Sequence, residues 1–388
     1  MNKIKILHVN NTLELGGTSY LLRLTSLLNR EHFKNYIAYC GDEFFISKVD
    51  KDIELFKYSD YRPSLRNLNV LVAPLRLFRF IRKQKIDIVH TYMLPSNLWG
   101  LIAGKSLSVP TVNTIVESIL VGQFFSNLSL KYKPIRKCFD SFVTKYCALA
   151  QYSRQEYETY LGVHPSKIVF TGHGVDLERF RINPNYSIEI RNEFSVDNNT
   201  RIIASIARIA PEKGIDFFLR LLPRIKKEFP NFKYFVVGDG PLLNKLKKES
   251  HTLNLDDVIV FTGARKDTQK ILNAIDCHLF LGPKPLLGNA NMEAMACGKP
   301  LIIYAPTKVD CDIAKELISE GVNGYIAKGE DELLCDVLII LKNPSKAREM
   351  GQNARKIAEE RFDFSKHVRK IEELYFAVVN RKHAECNY

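Results

Sequence analysis

Glu293 is the one carboxylate in LGPKPLLGNANMEAMACGKPLII, residues 281–303, a stretch otherwise made largely of apolar, small and turn-forming residues. At the start of a helix a carboxylate can accept two hydrogen bonds from a vicinal diol such as ribose. The unpaired backbone N–H groups of residues 287 to 290 offer an anion site beside it. Leu287, Gly288 and Asn289 are therefore candidate phosphate contacts, and phosphate next to ribose is the implied ligand. A plainer alternative is that Glu293 only complements the helix dipole, which is worth about 0.3–1 kcal/mol. A second candidate pair is Arg208 and Lys213 in SIARIAPEKGIDFFL, residues 205–219. Two cations in a loop beyond a strand can hold a diphosphate, although Pro-Glu-Lys-Gly is also ordinary turn chemistry. In FVVGDGPLLNKL, residues 235–246, Gly238 and Gly240 allow close backbone approach and Pro241 suits the first position of a helix. A tight turn alone would also account for them.

These groups need elements to carry them. Cys277 to Leu281 reads as a buried strand stopped by Gly282-Pro283 and again by Pro285, because proline cannot continue a ladder. A loop follows, then a short helix over Ala290 to Cys297 closed by Gly298, then a strand from Leu301 to Tyr304. Strands alternate with amphipathic helices twice over, which predicts an α/β protein with two parallel sheets. In the first half, strands are expected at 4–10, 36–40, 86–92, 111–116, 146–150 and 168–171, with helices at 18–29, 70–84, 96–106 and 152–161. In the second half, strands are expected at 201–209, 233–238, 258–262, 277–281, 301–304 and 324–327. Helices at about 214–228, 241–253, 309–319, 331–342 and 344–360 separate them. The polar stretch 181–200 is the expected joint, giving Rossmann-like domains over 1–182 and 197–364, and a last helix spans about 365–381. Open parallel sheets bind ligands beyond the carboxyl ends of their strands, so two such domains face to face predict a cleft. His90 ends an expected strand on that side, either as an acceptor contact or as a satisfied strand-end histidine.

At 388 residues the chain exceeds one core, and its 46% hydrophobic and 26% charged content is that of a globular protein. No apolar run reaches the roughly 18 residues of a membrane helix, and no signal-peptide pattern follows Met1, so a cytoplasmic location is expected. The eight cysteines have neither zinc nor disulfide spacing. Asp310-Cys311-Asp312 is a lone D-x-D without partner acids, and no metal site is expected. The absence of G-x-G-x-x-G after either domain's first strand argues against a nicotinamide oxidoreductase.

Four stretches occur in order: Arg208-Ile209-Ala210-Pro211-Glu212-Lys213-Gly214, Gly238-Asp239-Gly240-Pro241, Phe261-Thr262-Gly263, and Glu293-Ala294-Met295-Ala296-Cys297-Gly298-Lys299-Pro300. Together they resemble the nucleotide-sugar domain of family 4 glycosyltransferases, which have the two-domain GT-B fold. Leu15-Gly16-Gly17, Asp87-Ile88-Val89-His90, Gly174-Val175-Asp176-Leu177-Glu178-Arg179-Phe180 and Gly321-Val322-Asn323-Gly324 extend the resemblance over nearly the whole chain. It implies transfer of a sugar from a nucleoside diphosphate donor, UDP-sugar by family frequency, with retention of configuration and with neither metal nor other cofactor. It also implies that Arg208 and Lys213 stabilise the leaving diphosphate, that Glu293 binds ribose, and that Gly16 and Gly17 border donor and acceptor. The C-terminal helix, to residue 388, is expected to pack back on the first domain.

The chain departs from the family in three places. Pro285 stands where the first of two glutamates usually lies. Val116 stands near a usual histidine, with Glu117 beside it as a replacement catalytic or acceptor-contacting acid, or as a plain surface acid. His173 replaces an asparagine and is a candidate acceptor contact. These changes keep a second reading open, a catalytically silent nucleotide-sugar-binding partner of another glycosyltransferase.

Residues 1–190 hold 25 Lys and Arg against 16 Asp and Glu, nine of the thirteen net positive charges. Arg62, Arg66, Arg76, Arg79, Arg82, Lys83 and Lys85 form a run with no acid between Tyr61 and Ile86. A second acid-free stretch, Ser118 to Phe139, joins Phe124-Phe125 to Lys131, Lys133, Arg136 and Lys137. At about 1 kcal/mol per base near an anionic leaflet, such segments predict peripheral attachment to the inner face of a membrane. The alternative for 70–84 is an ordinary helix packed on its sheet. A lipid-linked or surface glycan is the expected acceptor. Nucleic acid is not expected, since no recognition motif accompanies the bases.

Overall fold

A computed structural model of the chain describes residues 3–10, 17–40, 46–59, 69–92, 96–115, 140–160, 162–282 and 288–385. The chain divides into two units, residues 1–172 with 365–388, and residues 173–364. The first unit holds a parallel sheet in the order β3-β2-β1-β4-β5-β6-β7. Its strands are β1 Ile4–Val9, β2 Phe33–Cys40, β3 Glu54–Ser59, β4 Ile88–Tyr92, β5 Thr111–Ile115, β6 Lys145–Ala148 and β7 Ile168–Phe170. The sequence reading passed over β3. ELFKYS mixes charge with apolar residues because this strand lies at the sheet edge, where Glu54 and Lys57 blunt pairing with another chain.

The long helix Phe364–Glu385 belongs largely to this first unit, which takes in residues 365–388. Its Tyr375 and Phe376 rings meet Phe33 of β2 with centroids 5.8 and 5.1 Å apart. Ile371, Leu374, Tyr375 and Val378 are buried, each such apolar side chain contributing about 1.5–3 kcal/mol.

The second unit holds a parallel sheet in the order β10-β9-β8-β11-β12-β13. Its strands are β8 Arg201–Ile206, β9 Phe232–Val237, β10 Ile259–Gly263, β11 Cys277–Phe280, β12 Leu301–Tyr304 and β13 Gly324–Ala327. Both faces are covered, as an all-parallel sheet requires. On one face Ala204, Phe235, Leu301 and Ile303 meet Met292 and Met295; on the other, Ile203, Tyr234 and Ile302 meet Phe218, Leu222 and Val337.

Two differences from the sequence reading have clear causes. The helix expected over 214–228 is two helices, Ile215–Leu219 and Leu222–Glu228, because Pro223 near the second start cannot continue the ladder. The polar stretch 181–200 is not a linker throughout. It contains the helix Pro184–Glu193, opened by an Asn183 cap and Pro184, and it lies inside the second unit. Its polarity serves cross-bracing to the helix Thr268–Ala274 and the loop before it. Lys270 pairs with Glu189, Arg265 pairs with Glu193, and the Asn183 N–H donates to Asn273 Oδ1 at 2.8 Å. Among the described residues no helix is long and apolar enough to cross a membrane.

Candidate functional site

In the second unit β9 follows β8 on one side of the sheet, while β11 pairs with β8 on the other. The winding reverses between β8 and β11, and the crevice outside the carboxyl ends of such neighbours is where open α/β sheets take ligands. Three turns meet there. The turn after β8 carries Arg208 and Lys213 and closes through the 3-10 turn Pro211–Lys213 on Gly214, whose φ of 68° is left-handed. A Cβ at Gly214 would strike the Leu281 carbonyl, just past β11, so the two loops touch only because this residue has no side chain. The turn after β9 is equally close. A Cβ at Gly238 would collide with the Ala207 carbonyl and one at Gly240 with that of Ile209. The Ile209 N–H donates to Asp239 O at 2.9 Å, and the Leu242 N–H to Ile209 O at 3.1 Å.

The third part is the helix Asn289–Ala296 after β11, with Gly288 at its N-cap and no side-chain cap there among the described residues. Glu293 is half-buried on this helix, one residue beyond the first turn. Within one unit, therefore, the fold gathers Arg208, Lys213, Gly238, Gly240, Gly288, Asn289 and Glu293 around the β8–β11 reversal. Arg208 is largely exposed and paired with Glu212, four residues on. Glu212's own backbone N–H and the Arg208 guanidinium hold its carboxyl below the usual range, and desolvation opposes them only partly. An exposed pair of this kind is worth about 0.2–1 kcal/mol, so a diphosphate can displace Glu212 from Arg208.

Beneath the turns lies a brace that the sequence reading missed. The Tyr234 hydroxyl donates to Ser205 Oγ at 2.9 Å, and Ser205 Oγ donates to Leu279 O at 3.0 Å, joining β9, β8 and β11. A lone serine inside an apolar strand was the available signal.

The remaining candidates fall elsewhere. His90 is not at a strand end facing solvent. It is fully buried inside β4, with Nδ1 2.5 Å from the Tyr375 hydroxyl and Nε2 2.7 Å from Thr114 Oγ1, so it is a satisfied core histidine and not an acceptor contact. His173 is half-buried at the start of the second unit, and its Nδ1 accepts the Gly174 N–H at 2.8 Å. Gly17 opens the helix Gly17–Leu27 after β1. Gly16, Val116, Glu117, Pro285 and Leu287 lie outside the described residues, as does the stretch 118–139. Asp310 is committed to a capping box with Thr307, and Asp312 pairs with Lys315 at 3.0 Å.

Comparison with known proteins adds to this geometry. A family model described as Glycosyltransferase Family 4 matches residues 16–179, and one described as Glycosyl transferases group 1 matches residues 187–357. The chain is 25% identical over 391 residues to the Escherichia coli UDP-Gal:alpha-D-GlcNAc-diphosphoundecaprenol alpha-1,3-galactosyltransferase, covering 98% of this chain and 99% of that protein. It is 24% identical over 322 residues to the alpha-monoglucosyldiacylglycerol synthase of Streptococcus pneumoniae, covering 76% and 70%. The crystal structure of Anabaena HepE in complex with UDP matches it with a TM-score of 0.80 at 20% identity, covering 96% of this chain and all of that one.

Proposed function

The chain belongs to the family 4 glycosyltransferases, which have the GT-B fold, and from that premise we propose that it transfers a sugar from a UDP-sugar to a lipid-linked glycan acceptor. The observation that carries this reading is the convergence of Arg208, Lys213, two glycine turns and the Glu293 helix on the β8–β11 reversal. Two cations and a helix N-terminus offset the charge that develops on a departing diphosphate. Glycines let the backbone approach it, and Glu293 accepts hydrogen bonds from the ribose hydroxyls. We assign the acceptor to the first unit. UDP is favoured because the E. coli relative is named for UDP-Gal and the Anabaena neighbour is described with UDP. A lipid-linked acceptor is favoured because two relatives are named for diphosphoundecaprenol and diacylglycerol substrates.

Retention of configuration and independence of metal belong to the same proposal. If the paired cations do the work of a divalent ion, transfer persists in excess EDTA. Attachment to an anionic leaflet is supported by the helix Asn69–Gln84, where Val72 and Leu75 are exposed alongside Arg76, Arg79 and Arg82. Release of UDP in the presence of a crude membrane acceptor tests the core of the reading. Arg208→Ala is expected to lower transfer by roughly 100-fold or more, the usual cost of removing a group that stabilises transition-state charge, and Glu293→Gln by about tenfold or more, the cost of a weakened charge-assisted hydrogen bond to the ribose. Full activity in both variants would reject the site.

A further inference from the structure

His278 and Asn291 are polar side chains in an otherwise apolar layer. His278 lies on β11 between Ala204 of β8 and Leu301 of β12 and is 1% exposed; Asn291, on the helix Asn289–Ala296, is fully buried. Neither ring nitrogen of His278 and neither amide atom of Asn291 makes a hydrogen bond of full geometry among the described residues, although the ring lies close enough to the Asn291 amide and to the Ala204 backbone for both to act on its charge. A buried polar atom left unpaired is costly, and folded proteins seldom tolerate one. Four at a single contact call for a state in which they are paired. Burial lowers the His278 pKa to about 4, partly opposed by the Ala204 backbone and the neighbouring Asn291 amide. At neutral pH the ring therefore offers one N–H and one lone pair, which an amide can match.

The helix that carries Asn291 is tied down at its far end. Arg355 Nη1 donates to Ala296 O at 2.6 Å, Lys299 Nζ donates to Asn273 O at 2.9 Å, and a Cβ on Gly351 would strike the Gly298 carbonyl. The near end begins at Gly288 and carries Asn291 and Glu293. Asn291 stands about 7.5 Å along the axis from that anchor, so a tilt of a few degrees moves its amide by about half an ångström. Resting on the nucleotide reading above, we infer that His278 and Asn291 are a positioning pair that closes its hydrogen bond when the nucleotide seats the near end of the helix. The sheet then holds Glu293 in its working position in the loaded state.

Calorimetric titration of UDP into the full chain, with melting curves taken without UDP, tests this. His278→Phe and Asn291→Leu should each weaken UDP binding about tenfold, and the double variant should be no weaker than either. Melting temperatures without UDP should be unchanged or higher, since unpaired polar atoms have been removed. His278→Gln, which keeps a donor and an acceptor, should bind within about threefold of wild type. A fall in melting temperature without UDP would show a pair already formed and overturn the inference, as would wild-type affinity in the Phe and Leu variants. If the unaltered protein bound no UDP, the nucleotide reading itself would fall, and this inference with it.

Discussion

Arg208 is held by a neighbour that must release it. The Glu212 carboxyl is held below the usual range by its own backbone N–H and the guanidinium. The acid occupies the cation that the proposed diphosphate would use. The exposed pair is worth about 0.2–1 kcal/mol, so its loss should be visible as affinity. Glu212→Gln is predicted to tighten UDP up to about fivefold, read by calorimetry, and weaker binding would show that Glu212 aims Arg208 and does not compete for it. Lys213 and Glu293 differ from Arg208 in being half-buried, which limits the directions in which they can point. The residue types and order of this set were legible in the sequence, because cations, glycines and a carboxylate at strand ends have few other uses in combination. What Glu212 does was not legible, since an acid four residues from an arginine looks the same in any exposed turn.

At the level of elements, the first unit keeps its C-terminal helix through a buried chain of histidine and tyrosine. His8 Nδ1 lies 2.8 Å from the Tyr92 hydroxyl, Tyr92 3.0 Å from His90 Nδ1, and His90 2.5 Å from Tyr375 on the helix; Tyr20 reaches His367 at 2.6 Å. Burial lowers the His8 pKa to about 4, partly opposed by its bond to Asn35, and burial with neighbouring His8 and His367 drives His90 well below its ordinary value. Folded-state pKa values below the unfolded 6.5 mean that these groups support the fold fully above pH 6.5. That support is lost as pH falls toward 4, at roughly 1.4 kcal/mol per pH unit for each histidine that must stay neutral. The melting temperature is therefore expected to drop steeply between pH 6.5 and 4.5, and a flat profile would contradict the assignment. Strand and helix order was largely legible because both sheets are buried on two faces and read as apolar runs. The edge strand β3 and the helix Pro184–Glu193 were not, since the first carries charge at an open edge and the second is stabilised by ion pairs that a sequence shows only as polarity. The two readings of His90 stayed open for a related reason. Its partner Tyr375 lies 285 residues away, beyond any local pattern.

For the molecule as a whole, the excess of positive charge in residues 1–190 underlies the proposed attachment to an anionic surface. Each base near such a surface adds about 1 kcal/mol, so Arg79→Glu with Arg82→Glu, both on the exposed side of their helix, should release the protein from anionic vesicles while leaving UDP affinity unchanged. Unaltered sedimentation with vesicles would remove this helix from the account. In the second unit the proposed site grips a nucleoside diphosphate where the winding reverses between β8 and β11. Calorimetric titration of UDP into the unaltered chain and into Arg208→Ala and Lys213→Ala variants tests it most directly. A charge-assisted contact is worth about 1.5–3 kcal/mol, so each variant should bind at least tenfold more weakly than the unaltered chain. Equal affinity in all three proteins would place the nucleotide elsewhere.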